Sequence, residues 1–169
     1  MATDGTGTKV VYDIEENEAH FGRAVVDGQA LMWELHEGAP SQDALLSAEM
    51  ELEPGVWVVR CDRIDFPPGG IAYRHTHPGP GIRCQLFGEL TVETEGRIGT
   101  YGPLGSWFET GPDPVYAVAS GTEDSAFARV MILPTLWEGK RTISYVDEAD
   151  AAKPKRQTAT VFFDRRIEL

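Results

Sequence analysis

Residues 69–92 read Gly-Gly-Ile-Ala-Tyr-Arg-His-Thr-His-Pro-Gly-Pro-Gly-Ile-Arg-Cys-Gln-Leu-Phe-Gly-Glu-Leu-Thr-Val, and this stretch decides the fold. Runs rich in β-formers, Ile71–His77, Ile82–Phe87 and Glu89–Glu95, are separated by Pro78-Gly79-Pro80-Gly81 and by Gly88. Short runs with glycine and proline between them are strands joined by tight turns. Working outward, Pro67-Pro68-Gly69-Gly70 closes off an earlier run, Val56–Arg60. Downstream, turns at Gly96 and Gly99–Gly105 lead to Trp107–Glu109, Val115–Ala119 and Phe127–Leu133. A spacing of about eight to twelve residues between such runs predicts an antiparallel sandwich or small barrel. No long segment of helical period competes with it.

The flanks of this core (55–133) read differently. Residues 1–8 are small and polar and are expected to be frayed. Residues 9–54 read as a strand-rich N-terminal arm, with apolar pieces at Val10–Tyr12, Ala24–Val26 and Ala30–Leu35. Within it, 41–53 suits either a short helix capped by Ser41 or an edge strand. Residues 134–169 form a C-terminal extension, with strands at Ile143–Val146 and from Thr158 to Phe163, packing on the barrel or on a partner subunit. Lys153-Pro154-Lys155-Arg156 reads as a solvated linker. The expected architecture is all-β, with N- and C-terminal strand extensions. Sheet edges left open by those extensions predict a homodimer.

Composition narrows the partners. Hydrophobic residues at 41% and charged residues at 25% suit a packed core and exclude collagen or wholesale disorder. Twenty-seven acidic residues against 15 basic ones leave a net charge of −12. That field repels phosphate backbones and anionic lipid, so neither nucleic acid nor membrane is an expected partner. A small-molecule partner is left. The chain starts without an apolar leader-like run, and its two cysteines, Cys61 and Cys84, form no zinc-type cluster. A cytoplasmic location with reduced, packed thiols is expected.

The chemistry-bearing feature is His75-Thr76-His77. In a strand, positions i and i+2 point to one face, so both imidazoles converge. Convergent imidazoles suit a metal ion, or acid–base work near neutral pH. By the same alternation Ile71 and Tyr73 extend the histidine face, and one of Trp107 and Phe108 lines the pocket.

At Gly69, His75, His77 and Gly88 the chain resembles the cupin superfamily, whose first motif spaces a glycine, a His-x-His pair, a glutamate and a second glycine in this way. Gly81 stands where the family has its glutamate. In the second motif Gly105 matches the start, Gly111-Pro112-Asp113 replaces Pro-x-Gly, and Tyr116 and Ser120 replace the histidine and asparagine. Two of the four usual ligand positions are thus changed. The resemblance spans about residues 55–133 and implies a jelly-roll barrel with a pocket inside. If position 81 faces that pocket, so do Arg83 and Gln85, while Ile82, Cys84 and Leu86 face away.

The resemblance implies a divalent ion, iron, manganese, nickel or zinc, held by His75 and His77. Gln85 is the expected third ligand, with Glu109 and, more remotely, His36 as substitutes. Arg83 is expected to clamp an anionic oxygen of the substrate. Tyr116 is expected to ligate or to donate a proton, and Tyr73 and Trp107 to wall the substrate. The reading that follows is a metal-dependent, dioxygenase-like enzyme acting on a small oxygen-bearing or anionic molecule. Two other readings stay open: a non-catalytic binding cupin, and a metal-free isomerase, epimerase or cyclase using a His/Tyr116 pair.

Overall fold

The structure, a computed structural model, describes residues 7–169. The strands are β1 (Thr8–Asp13), β2 (Glu18–Phe21), β3 (Ala30–Leu35), β4 (Val56–Phe66), β5 (Ile71–Thr76), β6 (Gly81–Phe87) and β7 (Leu90–Thr94). They continue as β8 (Arg97–Tyr101), β9 (Ser106–Glu109), β10 (Val115–Ala119), β11 (Ser125–Pro134), β12 (Ser144–Tyr145) and β13 (Thr158–Glu168). One helix, α1 (Glu148–Ala152), precedes β13. Two five-stranded antiparallel sheets, ordered β13-β4-β11-β6-β9 and β12-β5-β10-β7-β8, make a jelly-roll sandwich. A third sheet, β2-β1-β3, is the N-terminal arm.

Alternation sets the layers. On β4 and β11 the positions Arg60, Asp62, Ile64, Phe66, Phe127 and Arg129 line the space between the two large sheets. Their neighbours Val59, Cys61, Val130 and Ile132 pack outward with Val10 of the arm. Cys84 and Ala128 likewise meet Tyr12 and Leu31. β11 is therefore covered on both faces, and its residues Ser125–Leu133 are all buried. The lower half of the lumen is an apolar cluster that includes Phe66, Leu90, Val92, Trp107 and Phe127.

Several expectations change. Thr8 already belongs to β1, and residues 1–6 of the segment expected to fray lie outside the described residues. Residues 41–53 form neither helix nor strand. β4 runs on to Phe66, because Asp62 and the polar residues around it find partners instead of ending the strand. Residues 99–101, expected in a turn, belong to β8 instead. Glu95 and Gly96 both take positive φ, 49° and 71°, in a two-residue loop between paired Thr94 and Arg97. That is the hairpin turn whose twist matches its strands. The Lys153–Arg156 segment is not simply solvated, since Lys155 donates to three carbonyls at the end of α1. β13 pairs along its length with this chain's own β4. Among the described residues no helix is long and apolar enough to cross a membrane.

Candidate functional site

A cavity of about 620 Å³ lies between the two large sheets. Its polar end is built from His75 on β5, His77 just beyond it, Glu109 on β9, and Asp62 and Arg129 on β4 and β11. Moving along each strand in the same direction, the interior positions turn apolar. Asp62 gives way to Ile64 and Phe66, Arg129 to Phe127, and His75 to Ala72. Segment 139–143 and Lys155 form a rim beside the polar end.

The two imidazoles do converge. Their Nε2 atoms are 3.2 Å apart and both rings are buried. Each ring is fixed through its other nitrogen. His75 Nδ1–H donates to the Tyr73 carbonyl at 2.6 Å, and His77 Nδ1–H to the Thr142 carbonyl at 2.9 Å. With Nδ1 carrying the proton, both Nε2 atoms of the neutral rings are lone-pair acceptors, and that of His77 is already met by Arg129 Nη1 at 3.1 Å. This outer anchoring is how metal-ligating histidines are oriented. Burial, above all, holds both rings below the ordinary histidine range, His77 furthest, and the Arg129 and Arg83 charges push the same way.

Glu109 is the third member. Trp107 Nε1–H donates to its Oε1 at 2.8 Å. Oε2 lies 3.9 Å from His77 Nε2 and 2.7 Å from Arg83 Nη2. The second contact is an ion pair whose angle makes no hydrogen bond, so Oε2 is a buried acceptor with no hydrogen-bond donor. Across the β6–β9 ladder Glu109 is the partner of Gly81. A side chain at Gly81 would run into the Val130 carbonyl and the Met131 side chain. The carboxylate therefore arrives from the neighbouring strand, opposite the position where a cupin glutamate would stand.

Arginines complete the charge balance. Arg129 holds Asp62 through Nε and Nη2 at 2.6 and 2.9 Å, and its Nη1 donates to His77 Nε2 at 3.1 Å. Burial pulls the Arg129 guanidinium down, but Asp62 outweighs it and the net shift is upward. Arg83 is fully enclosed, and burial pushes it down to about 10 against the pull of Glu109, which leaves it charged at neutral pH.

Of the residues expected in the pocket, His75, His77, Trp107 and Glu109 line it, and Arg83 stands behind Glu109. Four do not. Tyr73 is displaced by a bulge in β5: the four residues Ala72–His75 lie opposite the three residues Val115–Ala117 on β10, so Ala72 takes the inner position. The Tyr73 ring instead lies under Lys153 Nζ, 4.7 Å from its centre. Tyr116 is turned out because Val115 and Ala117 face the lumen on either side of it. That removes the His/Tyr116 pair. Gln85 points inward as expected but spends its Nε2 on the Phe87 carbonyl at 2.8 Å and does not line the cavity. His36 is exposed on the arm, beyond the opposite face of the β4–β11–β6 sheet, where its Nδ1 meets the Glu37 carbonyl.

Among the described residues no three His, Cys, Asp or Glu side chains close on one metal position, and Glu109 Oε2 stands 3.9 Å from His77 Nε2. His75, His77 and Glu109 are nevertheless the residue types of the two-histidine, one-carboxylate pattern, with Arg129 Nη1 now donating to one of the nitrogens. A nitrogen separation of 3.2 Å suits two bonds of ~2.0–2.1 Å to one centre. Asp62, Arg129, Arg60 and Asp164 were not anticipated. A single arginine inside the apolar run Ala128-Arg129-Val130-Met131 was the available signal, since a charge in a buried strand needs a partner.

The strand order is that of a jelly-roll sandwich, with both histidines of the His-x-His stretch lining its cavity. The chain is similar to solved structures of an RmlC-like cupin from Shewanella frigidimarina (17% identity, TM-score 0.41, covering 50% of this chain and 82% of the other). It is also similar to a cupin-like protein from Thermotoga maritima (15% identity, TM-score 0.44, covering 60% and 94%). A third is a polyketide cyclase from Streptomyces resistomycificus (18% identity, TM-score 0.43, covering 67% and 87%). No protein-family description matches the sequence, and no curated protein matches it.

Proposed function

We propose that this chain is a cupin-type enzyme for a small oxygen-bearing molecule, with His75, His77 and Glu109 as the seat of a divalent ion. The observation that carries the reading is the pair of Nε2 acceptors at 3.2 Å, each locked from behind by a backbone carbonyl, beside a carboxylate oxygen without a hydrogen-bond donor. Arg129 Nη1 answers only the lone pair of His77, whereas an ion bound between the rings would answer both. A bound ion supplies Lewis acidity toward a substrate oxygen. The chain's own part is to orient and to exclude water. Trp107 fixes the Glu109 carboxylate, Arg83 and Arg129 set the local field, and the apolar floor takes the carbon skeleton.

The test is elemental analysis of freshly purified protein, followed by calorimetric titration of the chelator-treated form with iron, manganese, nickel and zinc. About one equivalent per chain is expected, weakened at least ~10-fold in His75→Ala, His77→Ala or Glu109→Gln, as when a metal loses one of three protein ligands. No uptake by the parent protein sinks the proposal.

One observation favours a second reading, a metal-free binding pocket. Arg129 Nη1 already donates to His77 Nε2, and Arg83 already neutralises Glu109. In that case small carboxylic acids raise the melting temperature of chelator-treated protein, because a ligand that binds only the folded state stabilises it. The homodimer belongs to the proposal as well: among the described residues no strand pairs with the outer side of β13, which is 11 residues long. Light scattering on a sizing column checks it.

A further inference from the structure

The charges around the cavity are not evenly compensated. Inside, each carboxylate has an arginine: Asp62 has Arg129, Glu109 has Arg83, and Asp164 has Arg60. At the rim, Lys140, Arg141 and Lys155 line the opening, and among the described residues no carboxylate lies within 4.0 Å of any of them. The surplus is positive, in a chain whose net charge is −12. An exposed cationic cluster on an acidic protein acts locally, within a Debye length of about 8 Å at physiological salt.

The rim cations are also held in place. Lys155 Nζ, whose three protons go to the Asp150, Ala151 and Lys153 carbonyls, sits 4.5 Å from the centre of the Tyr145 ring, and Arg141 lies over the same ring at 6.0 Å. Arg141 Nη2 donates to the Tyr145 hydroxyl at 3.3 Å, which leaves its Nε and Nη1 free. Tyr145 is the strand partner of His75, with ring centres 6.5 Å apart, so the rim and the imidazole pair share a wall. Beyond the imidazoles come Phe66, Val92, Trp107 and Phe127.

We infer that the cavity takes an organic anion with an apolar, ring-sized body: the anionic group rests on the free Nε and Nη1 of Arg141, with Lys155 adding its charge beside it, the body reaches the floor, and the atoms between them pass His75 and His77. A carboxylate, sulfonate or phosphate ester meets the rim equally well, since all three offer oxygens to a guanidinium. The assignment adds a ligand class to the site proposed above and rests on that cavity being the working one, but not on the metal.

Two fluorescent probes with the same skeleton test it: anilinonaphthalene sulfonate and its neutral parent, N-phenylnaphthylamine. The probes compete for one site per chain, and the sulfonate binds about 10-fold tighter at low salt, the gain expected from two nearby cations. That preference shrinks to about twofold at high salt, where charges more than ~3 Å apart are screened. It also falls to about twofold or less in Arg141→Ala with Lys155→Gln, while the neutral probe changes less than about twofold. Arg141→Lys retains most of it, and melting curves confirm that each variant is folded. Equal affinity for both probes, binding without competition, or parallel loss of both probes in the double variant overturns the inference. Metal uptake without probe preference sinks this inference alone, and probe preference without metal uptake sinks the metal reading alone.

Discussion

At the scale of single residues, Gly81 and Glu109 explain one another. Gly81 has no room for a side chain, and its ladder partner supplies the carboxylate instead. Gly81→Glu is therefore expected to unfold the barrel locally rather than to restore a ligand, and a broadened or lost melting transition would show it. The histidines carry a pH prediction. Both are held below the ordinary value of 6.5 mainly by burial, so the unfolded chain binds protons more readily than the folded one. Stability is then full above 6.5 and falls as the pH drops below it. Melting of chelator-treated protein should show this slope, and His75→Gln with His77→Gln should flatten it; an unchanged slope contradicts the assignment. The buried Asp62–Arg129 pair gives a third expectation. Arg129→Met strands a carboxylate and costs about 3–5 kcal/mol in urea titration, whereas the double change Asp62→Leu, Arg129→Met recovers most of the loss. How much of this was legible follows residue by residue. His75 and His77 were readable from period-two spacing, and Arg83 from parity. Tyr73 was misplaced because a bulge is invisible to strict alternation, and Tyr116 because motif counting places a position along a strand without saying which face it shows. Glu109 is a cross-strand substitution, legible only once the register is known.

At the scale of elements, the recurring short runs with glycine and proline between them were enough to name the sandwich. What they could not show was where polar residues continue a strand. β4 reads as ending at Arg60, yet it runs on because its polar positions are paired. Arg60 itself is a clamp: its Nε and Nη2 grip Asp164 of β13 at 2.6 Å each, and its Nη1 donates to the Lys140 carbonyl at 2.7 Å. Gly139 N–H adds a bond to the same carboxylate at 2.7 Å. Burial tends to raise the Asp164 carboxyl, but the Arg60 hydrogen bonds outweigh it and keep it below the usual carboxylate range. One side chain thus ties the rim segment to the edge strand. Asp164→Asn should speed amide exchange in 137–143 and β13 by more than about 10-fold while β11 keeps its protection, since local openings draw on the weakest contacts first. Uniform acceleration across all strands would show that the clamp serves global stability instead.

At the scale of the whole molecule, the arm is a second layer laid on the outside of the pocket-bearing sheet. It contributes Val10, Tyr12 and Leu31 to the clusters around Cys61 and Cys84, and none of its residues reaches the cavity. β4, β11 and β6 can therefore carry charges on the lumen side only because the arm supplies an apolar cover on the other side. The two thiols report on that cover. Both are nearly inaccessible, and burial pushes both upward, which disfavours the reactive thiolate. Tyr12 is fully buried at the centre of the cover. Tyr12→Ala removes about 3–5 kcal/mol of packing, as truncation of a buried aromatic side chain does. If arm and sandwich are separate cooperative layers, that loss falls on the arm. Cys61 and Cys84 should then react with a chromogenic disulfide many times faster in Tyr12→Ala than in the parent protein, while the probe affinity of the cavity stays within about twofold. Thiol exposure matched by equal loss of the cavity would mean that the three sheets open as one body, and that the arm is part of what shapes the site.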